Sequence, residues 1–165
     1  VLEAFGLRRG KYADTYNDGV LSNDEKFGQW YGKPKGYFVF TIVRNPWDRF
    51  ISGYKYFPDL RDKPIERVID MLHKFKGRKF NHLSRLQTSL LIDKENNYVP
   101  DFTIRFENIE EDWNKLCKIL NINYKLPHLN KSRHKHYTEY YNVSTKEKVR
   151  KYFKKDIDFW GYTYD

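Results

Sequence analysis

A chain of 165 residues, 39% hydrophobic and 18% aromatic, is long enough to bury one core and short for two, so residues 1–165 read as a single domain. Lys and Arg number 31 against 22 Asp and Glu, and the resulting formal charge of +9 favours anionic partners such as nucleotides, sulfated or carboxylated sugars, nucleic acid or an acidic membrane surface. The single cysteine, Cys117, excludes an internal disulfide and a cysteine-rich zinc site, and no apolar run approaches the roughly 20 residues of a membrane span.

The amino end, VLEAFGLRRGKY, has the pattern of a helix tail, with Leu2 and Phe5 apolar and Gly6 as the stop. Asp14 to Gly36 is polar and punctuated by glycine, with a brief helix expected around Ser22 to Gln29, where Ser22 and Glu25 are spaced as a capping box. Two strings here imitate a phosphate-binding loop. Gly6 to Lys11 is one residue too short and is followed by Tyr12 in place of Ser or Thr; Pro34-Lys35-Gly36 precedes a strand, whereas such a loop follows one. Both are rejected.

Tyr37 to Val43 is an unbroken apolar, β-branched and aromatic run, the pattern of a strand covered on both faces in a parallel sheet. Asn45 and Pro46 break it after Arg44, and a helix follows with Phe50, Ile51, Tyr54 and Phe57 on one face. Strand, tight turn and helix place Arg44 at the strand's carboxyl end and Ser52 on the next helix, where a ligand at the edge of a parallel sheet would meet both. The planar fork of Arg44 suits a phosphate and the Ser52 hydroxyl adds a donor. An arginine capping a sheet edge and an ordinary helix serine fit the same letters.

Pro64 opens a helix with Ile65, Val68, Ile69, Leu72 and Phe75 at helical spacing. The basic string HKFKGRKFNHLSR then reads either as a solvated helix end or as an electrostatic rim for an anionic acceptor. Leu83 to Ile92 is expected to be helical, and Asp93 to Pro100 a polar turn. Phe102 to Phe106 is a short strand; Asn108 and Glu111 form a capping box before a helix buried along Ile109, Trp113, Leu116, Cys117 and Leu120. His134 and His136 have a chelating spacing with no third ligand near, so this stretch reads as a basic loop and no metal is expected. Ser144 and Glu147 cap a last helix that turns Val149, Tyr152 and Phe153 inward, and FWGYTY packs as an aromatic tail.

The stretch VRNPWDRFISGYKYF, from Val43 to Phe57, resembles the 3′-phosphate-binding motif of the Golgi-type carbohydrate sulfotransferases and their microbial relatives, V-R-N/D/H-P-x-D/E-R-x-x-S-x-Y. DFTIRFENIEEDWNKLCKILNI and the ending D-I-x-F-[WF]-G-Y extend the likeness over nearly the whole chain. The resemblance implies an α/β fold of the P-loop-kinase kind, a parallel central sheet flanked by helices, and 3′-phosphoadenosine 5′-phosphosulfate (PAPS) as co-substrate. It places Arg44 and Ser52 on the 3′-phosphate and Asn130, Lys131 and Ser132 in a loop that folds over the nucleotide. It also puts His82 and Gln87 near where the acceptor comes in. In relatives a strand and a P-K-x-G-[ST]-[ST] loop come just before a segment like Val1 to Gly6, so the chain is expected to begin downstream of that strand and loop. The histidine that serves relatives as base has no counterpart in Asp14 to Gly36, which leaves Asp14, Asp18, Asp24 and Glu25 as substitutes and the base unassigned.

The resemblance thus implies sulfuryl transfer from PAPS to a hydroxyl of a carbohydrate-like acceptor. The alternative is a catalytically inactive protein of the same fold that holds a nucleotide or an anionic glycan. Nucleic acid is not expected, because no RNA-binding signature occurs and the aromatics are spaced as core. The default compartment is the cytoplasm, or the Golgi lumen for a eukaryotic chain that has lost its anchor.

Overall fold

The computed structural model describes residue 36 and residues 38–75, 81–126 and 135–165, with residues 81 and 82 described by backbone only. They form two compact units: one holds the described residues up to Val43 and those from Ser89 to 126, the other Arg44–Thr88 and residues 135–165.

In the first unit, strand β1 (Phe40–Val43) pairs in parallel with β2 (Phe102–Arg105), Phe40 facing Phe102 and Val43 facing Arg105. The ladder starts later than the apolar run. Val39 donates its N–H to the Asp101 carboxylate at 2.9 Å while Asp101 N–H donates to the Val39 carbonyl at 2.7 Å, so a side chain replaces the strand partner there. Ile42 and Phe38 are each about two-fifths exposed, against the expectation of a strand covered on both faces. The core of this unit is Ile104 of β2 with Trp113, Leu116 and Cys117, flanked by Phe40, Ile109 and Leu120. The expected buried stripe of that helix is therefore present. Its start differs: Asn108 occupies the cap position of Ile109–Ile119 without a side-chain bond, and Asp112 reaches back to the Arg105 N–H at 2.9 Å.

The second unit is helical. Its helices are α1 (Pro46–Tyr56), α2 (Pro58–Arg61), α3 (Ile65–Asp70), α4 (Asn81–Ser84), α6 (Val143–Tyr152) and α7 (Lys154–Trp160), α5 being Ile109–Ile119 of the first unit. Phe50, Ile51, Tyr54 and Phe57 are all buried, as the spacing requires, and Val68, Leu72, Leu83, Val149 and Phe153 of the same unit are buried with them. The helix expected to reach Phe75 ends at Asp70 and tightens into a 3₁₀ turn over Leu72–Lys74. That expected from Leu83 to Ile92 is absent: α4 ends at Ser84, Thr88–Leu90 is a 3₁₀ turn, and Ile92 makes an antiparallel bridge to Tyr98. The cause is Asp156, whose carboxylate takes the N–H groups of Gln87 and Thr88 at 2.7 and 2.9 Å and denies them to helix carbonyls.

Helix α6 is capped two residues earlier than expected. Asn142, not Ser144, caps α6, accepting from Thr145 N–H at 2.9 Å while Thr145 Oγ1 accepts from Asn142 N–H at 2.9 Å. Gly161, at φ 64°, ends α7 in the left-handed conformation that glycine adopts freely, and Tyr162 N–H closes on the Ile157 carbonyl at 3.1 Å. The aromatic tail then packs inward, with Tyr164 edge-on to Trp47 at 5.4 Å.

Because the Asn142–Thr145 box satisfies donors that α6 otherwise leaves without helical partners, Asn142→Ala is expected to lower stability by about 1 kcal/mol, read as a lower urea midpoint at unchanged m-value.

Candidate functional site

The turn that follows β1 in the chain is built by three residues. Asn45 accepts from Trp47 N–H at 3.1 Å and donates Nδ2 to the Thr163 carbonyl at 2.8 Å, which anchors the start of α1. Pro46, lacking an N–H, fits the first helical position. Asp48 in the first turn suits the helix dipole, and its Oδ2 accepts from Arg44 Nε at 2.6 Å. That bond fixes the plane of the Arg44 guanidinium.

Residues 49, 52, 53 and 56 lie on one face of α1, as a spacing of three and four dictates. With Arg44 they line an open pocket of about 360 Å³: Arg44, Arg49, Ser52, Gly53 and Tyr56. Two arginines and a serine lining one concave surface suit an anion with several acceptor oxygens. Tyr56, nearly three-quarters exposed, adds an aromatic face at the same pocket. The backbone approaches closely at Gly53, where a Cβ would stand 2.9 Å from Cδ1 of the fully buried Leu83.

Arg49 joins the pocket to the interior. Its guanidinium lies 5.1 Å from the centre of the Phe153 ring and donates to the Arg85 carbonyl, while its Nε is buried without a hydrogen-bond partner. Burial pushes the group down from the usual arginine range to about 10, with the nearby Asp156 carboxylate pulling it back up. It therefore keeps its charge at neutral pH.

A buried polar relay meets the backbone of Arg44. Asp156 is fully buried; besides the two N–H groups it accepts from Thr88 Oγ1 at 2.7 Å. Gln87, also buried, accepts the Arg44 N–H on Oε1 at 3.0 Å and donates Nε2 to the Arg44 carbonyl at 2.9 Å. The chain is thus pinned at Arg44 on its backbone by Gln87 and on its side chain by Asp48.

Of the residues singled out from sequence, Arg44 and Ser52 meet in this pocket. Gln87, expected near the incoming acceptor, has its terminal amide on the Arg44 backbone. The backbone of His82 lies in α4, and its side chain is outside the described residues, as are Asp14, Asp18, Asp24, Glu25, Asn130, Lys131 and Ser132. His134 is outside them too, while the His136 ring bonds Thr138 Oγ1 at 2.7 Å. Among the described residues no helix is long and apolar enough to cross a membrane. Arg49, Tyr56, Thr88 and Asp156 were not singled out. Arg49 and Tyr56 were findable by counting helical spacing from Ser52, and Asp156 is the first letter of the ending D-I-D-F-W-G-Y.

A comparison with known protein families matches residues 17–163 to the model of the sulfotransferase family. This chain belongs to the sulfotransferase family. No curated protein and no solved structure matches it. The mixed α/β architecture with a parallel strand pair agrees with a sulfotransferase fold. In this sulfotransferase the matched span includes the whole pocket and the relay of Gln87, Thr88 and Asp156.

The contact at Gly53 generates a test of how tightly the pocket wall is packed. Gly53→Val drives a branched side chain against Leu83 and is expected to cost about 1–3 kcal/mol in urea unfolding.

Proposed function

We propose that this sulfotransferase moves a sulfuryl group from PAPS to a hydroxyl of a carbohydrate-like acceptor, and that the α1 pocket receives the 3′-phosphate of the donor. The observation that carries the reading is that Arg44 and Ser52, the two residues the motif assigns to that phosphate, line one pocket together with a second arginine, Arg49. A phosphate offers acceptor oxygens in number and a charge near −2; the pocket offers a planar fork, a hydroxyl and a second positive charge.

PAPS supplies a sulfuryl group on a phosphate leaving group: the bond from sulfur to the 5′-phosphate oxygen breaks, a bond to the acceptor oxygen forms, and the acceptor proton passes to a base. Holding the 3′-phosphate serves that step by position, since binding energy spent far from the reacting atoms orients them. In this reading Arg44 and Ser52 bind and orient, and Asp48 keeps the Arg44 fork in plane. Asn130, Lys131 and Ser132 form a lid over the nucleotide, and the base is one of the carboxylates Asp14, Asp18, Asp24 or Glu25. The formal charge of +9 favours an acceptor that is itself anionic.

Two measurements test this. In calorimetric titration with adenosine 3′,5′-bisphosphate, Arg44→Ala is expected to lose about 1.5–3 kcal/mol, or roughly ten- to a hundredfold in Kd, and Ser52→Ala about 0.5–1.5 kcal/mol. Unchanged affinity in Arg44→Ala would remove the assigned role. Incubation with sulfur-labelled PAPS and a panel of sugars is expected to label at least one of them.

A further inference from the structure

The relay of Asp156, Thr88 and Gln87 is buried, polar and dedicated to one point of the chain. Gln87 uses both ends of its amide on a single residue, accepting from the N–H and donating to the carbonyl of Arg44 at 3.0 and 2.9 Å. Such a two-point clamp fixes the orientation of the peptide units on both sides of the Arg44 Cα, and hence the direction in which its side chain leaves. Gln87 is in turn held by its own N–H, which donates to Asp156 Oδ2 at 2.7 Å. The other oxygen of Asp156 takes the Thr88 N–H and hydroxyl. Arg44 precedes α1 rather than lying within it, so no helical hydrogen-bond ladder sets its backbone. A buried carboxylate of this kind is costly unless every contact is met, and contacts so met hold one arrangement of the chain.

We infer that Gln87, anchored by Asp156, is a positioning residue for Arg44, which aims the guanidinium into the α1 pocket and so sets its selectivity for a 3′-phosphate. The inference rests on the reading of that pocket as the 3′-phosphate site. Gln87 touches no ligand in this role; it acts through the backbone of Arg44. Asp48 completes the aim by fixing the plane of the fork, and the relay decides where the fork is carried.

The test compares adenosine 3′,5′-bisphosphate with adenosine 5′-phosphate by calorimetry, using wild type, Gln87→Met, Arg44→Ala and the double variant. Methionine keeps length and bulk and removes both bonds to Arg44. Gln87→Met is expected to lose about tenfold of the preference for the bisphosphate with little change toward the monophosphate, and to add little once Arg44 is already alanine. Equal loss toward both ligands, an intact preference, or additivity with Arg44→Ala would overturn the positioning role and show a structural one. A wild type without preference, or an Arg44→Ala variant that keeps it, overturns the pocket reading itself and the inference with it. If Gln87→Met does not fold, Thr88→Val reads the same relay by removing only the hydroxyl bond to Asp156. A preference reduced severalfold supports the relay, and an unchanged one overturns it.

Discussion

One carboxylate that does not meet water organises the helical unit of this protein. Asp156 accepts three hydrogen bonds from Gln87 and Thr88, two of them backbone N–H groups, and so ends any helix that the preceding segment would otherwise form. The non-helical stretch between α4 and Thr88 delivers the Gln87 amide to Arg44. A residue near the carboxyl end thereby determines the geometry of a turn more than 100 positions earlier in the chain. A buried charge contributes little to stability on balance, and what it supplies here is one arrangement in place of several.

The pocket on α1 inherits that arrangement. Its two guanidinium groups differ in surroundings: Arg44 is held at Nε by Asp48, while Arg49 reaches inward past Phe153 toward Asp156 and loses part of its basicity to burial. The same carboxylate thus steadies one arginine through its charge and the other through the chain. With Ser52 lining the same pocket, the surface is preorganised for an anion before any ligand arrives, which lowers the ordering cost of binding.

Much of this was legible in the letters. The strand, the break at Asn45-Pro46 and the buried face of α1 follow from apolar spacing and proline chemistry, and the contiguous motif pointed to Arg44 and Ser52. The stripe of Ile109, Trp113, Leu116 and Cys117 was equally plain, because a helix that buries one side repeats its apolar residues at 3.6. Local pattern failed where a distant side chain captured backbone donors. Leu83 to Ile92 has a helical pattern and is broken by Asp156; Asn108 has the letters of a cap and makes no cap bond, while Asp112 binds the Arg105 N–H. The resemblance marked the position of Gln87 without the bonds its amide makes to the Arg44 backbone, since a resemblance transfers a position and not the hydrogen bonds its side chain makes. Such long-range polar bonds leave no periodicity to read.

The central claim is that Arg44 and Ser52 take hold of the same phosphate. A crystal structure with adenosine 3′,5′-bisphosphate tests it most directly. The account predicts the 3′-phosphate in the α1 pocket, with the Arg44 guanidinium and the Ser52 hydroxyl within about 3 Å of its oxygens and the Gln87 amide still on the Arg44 backbone. A nucleotide bound with its 3′-phosphate elsewhere, and the pocket left to solvent, would contradict it.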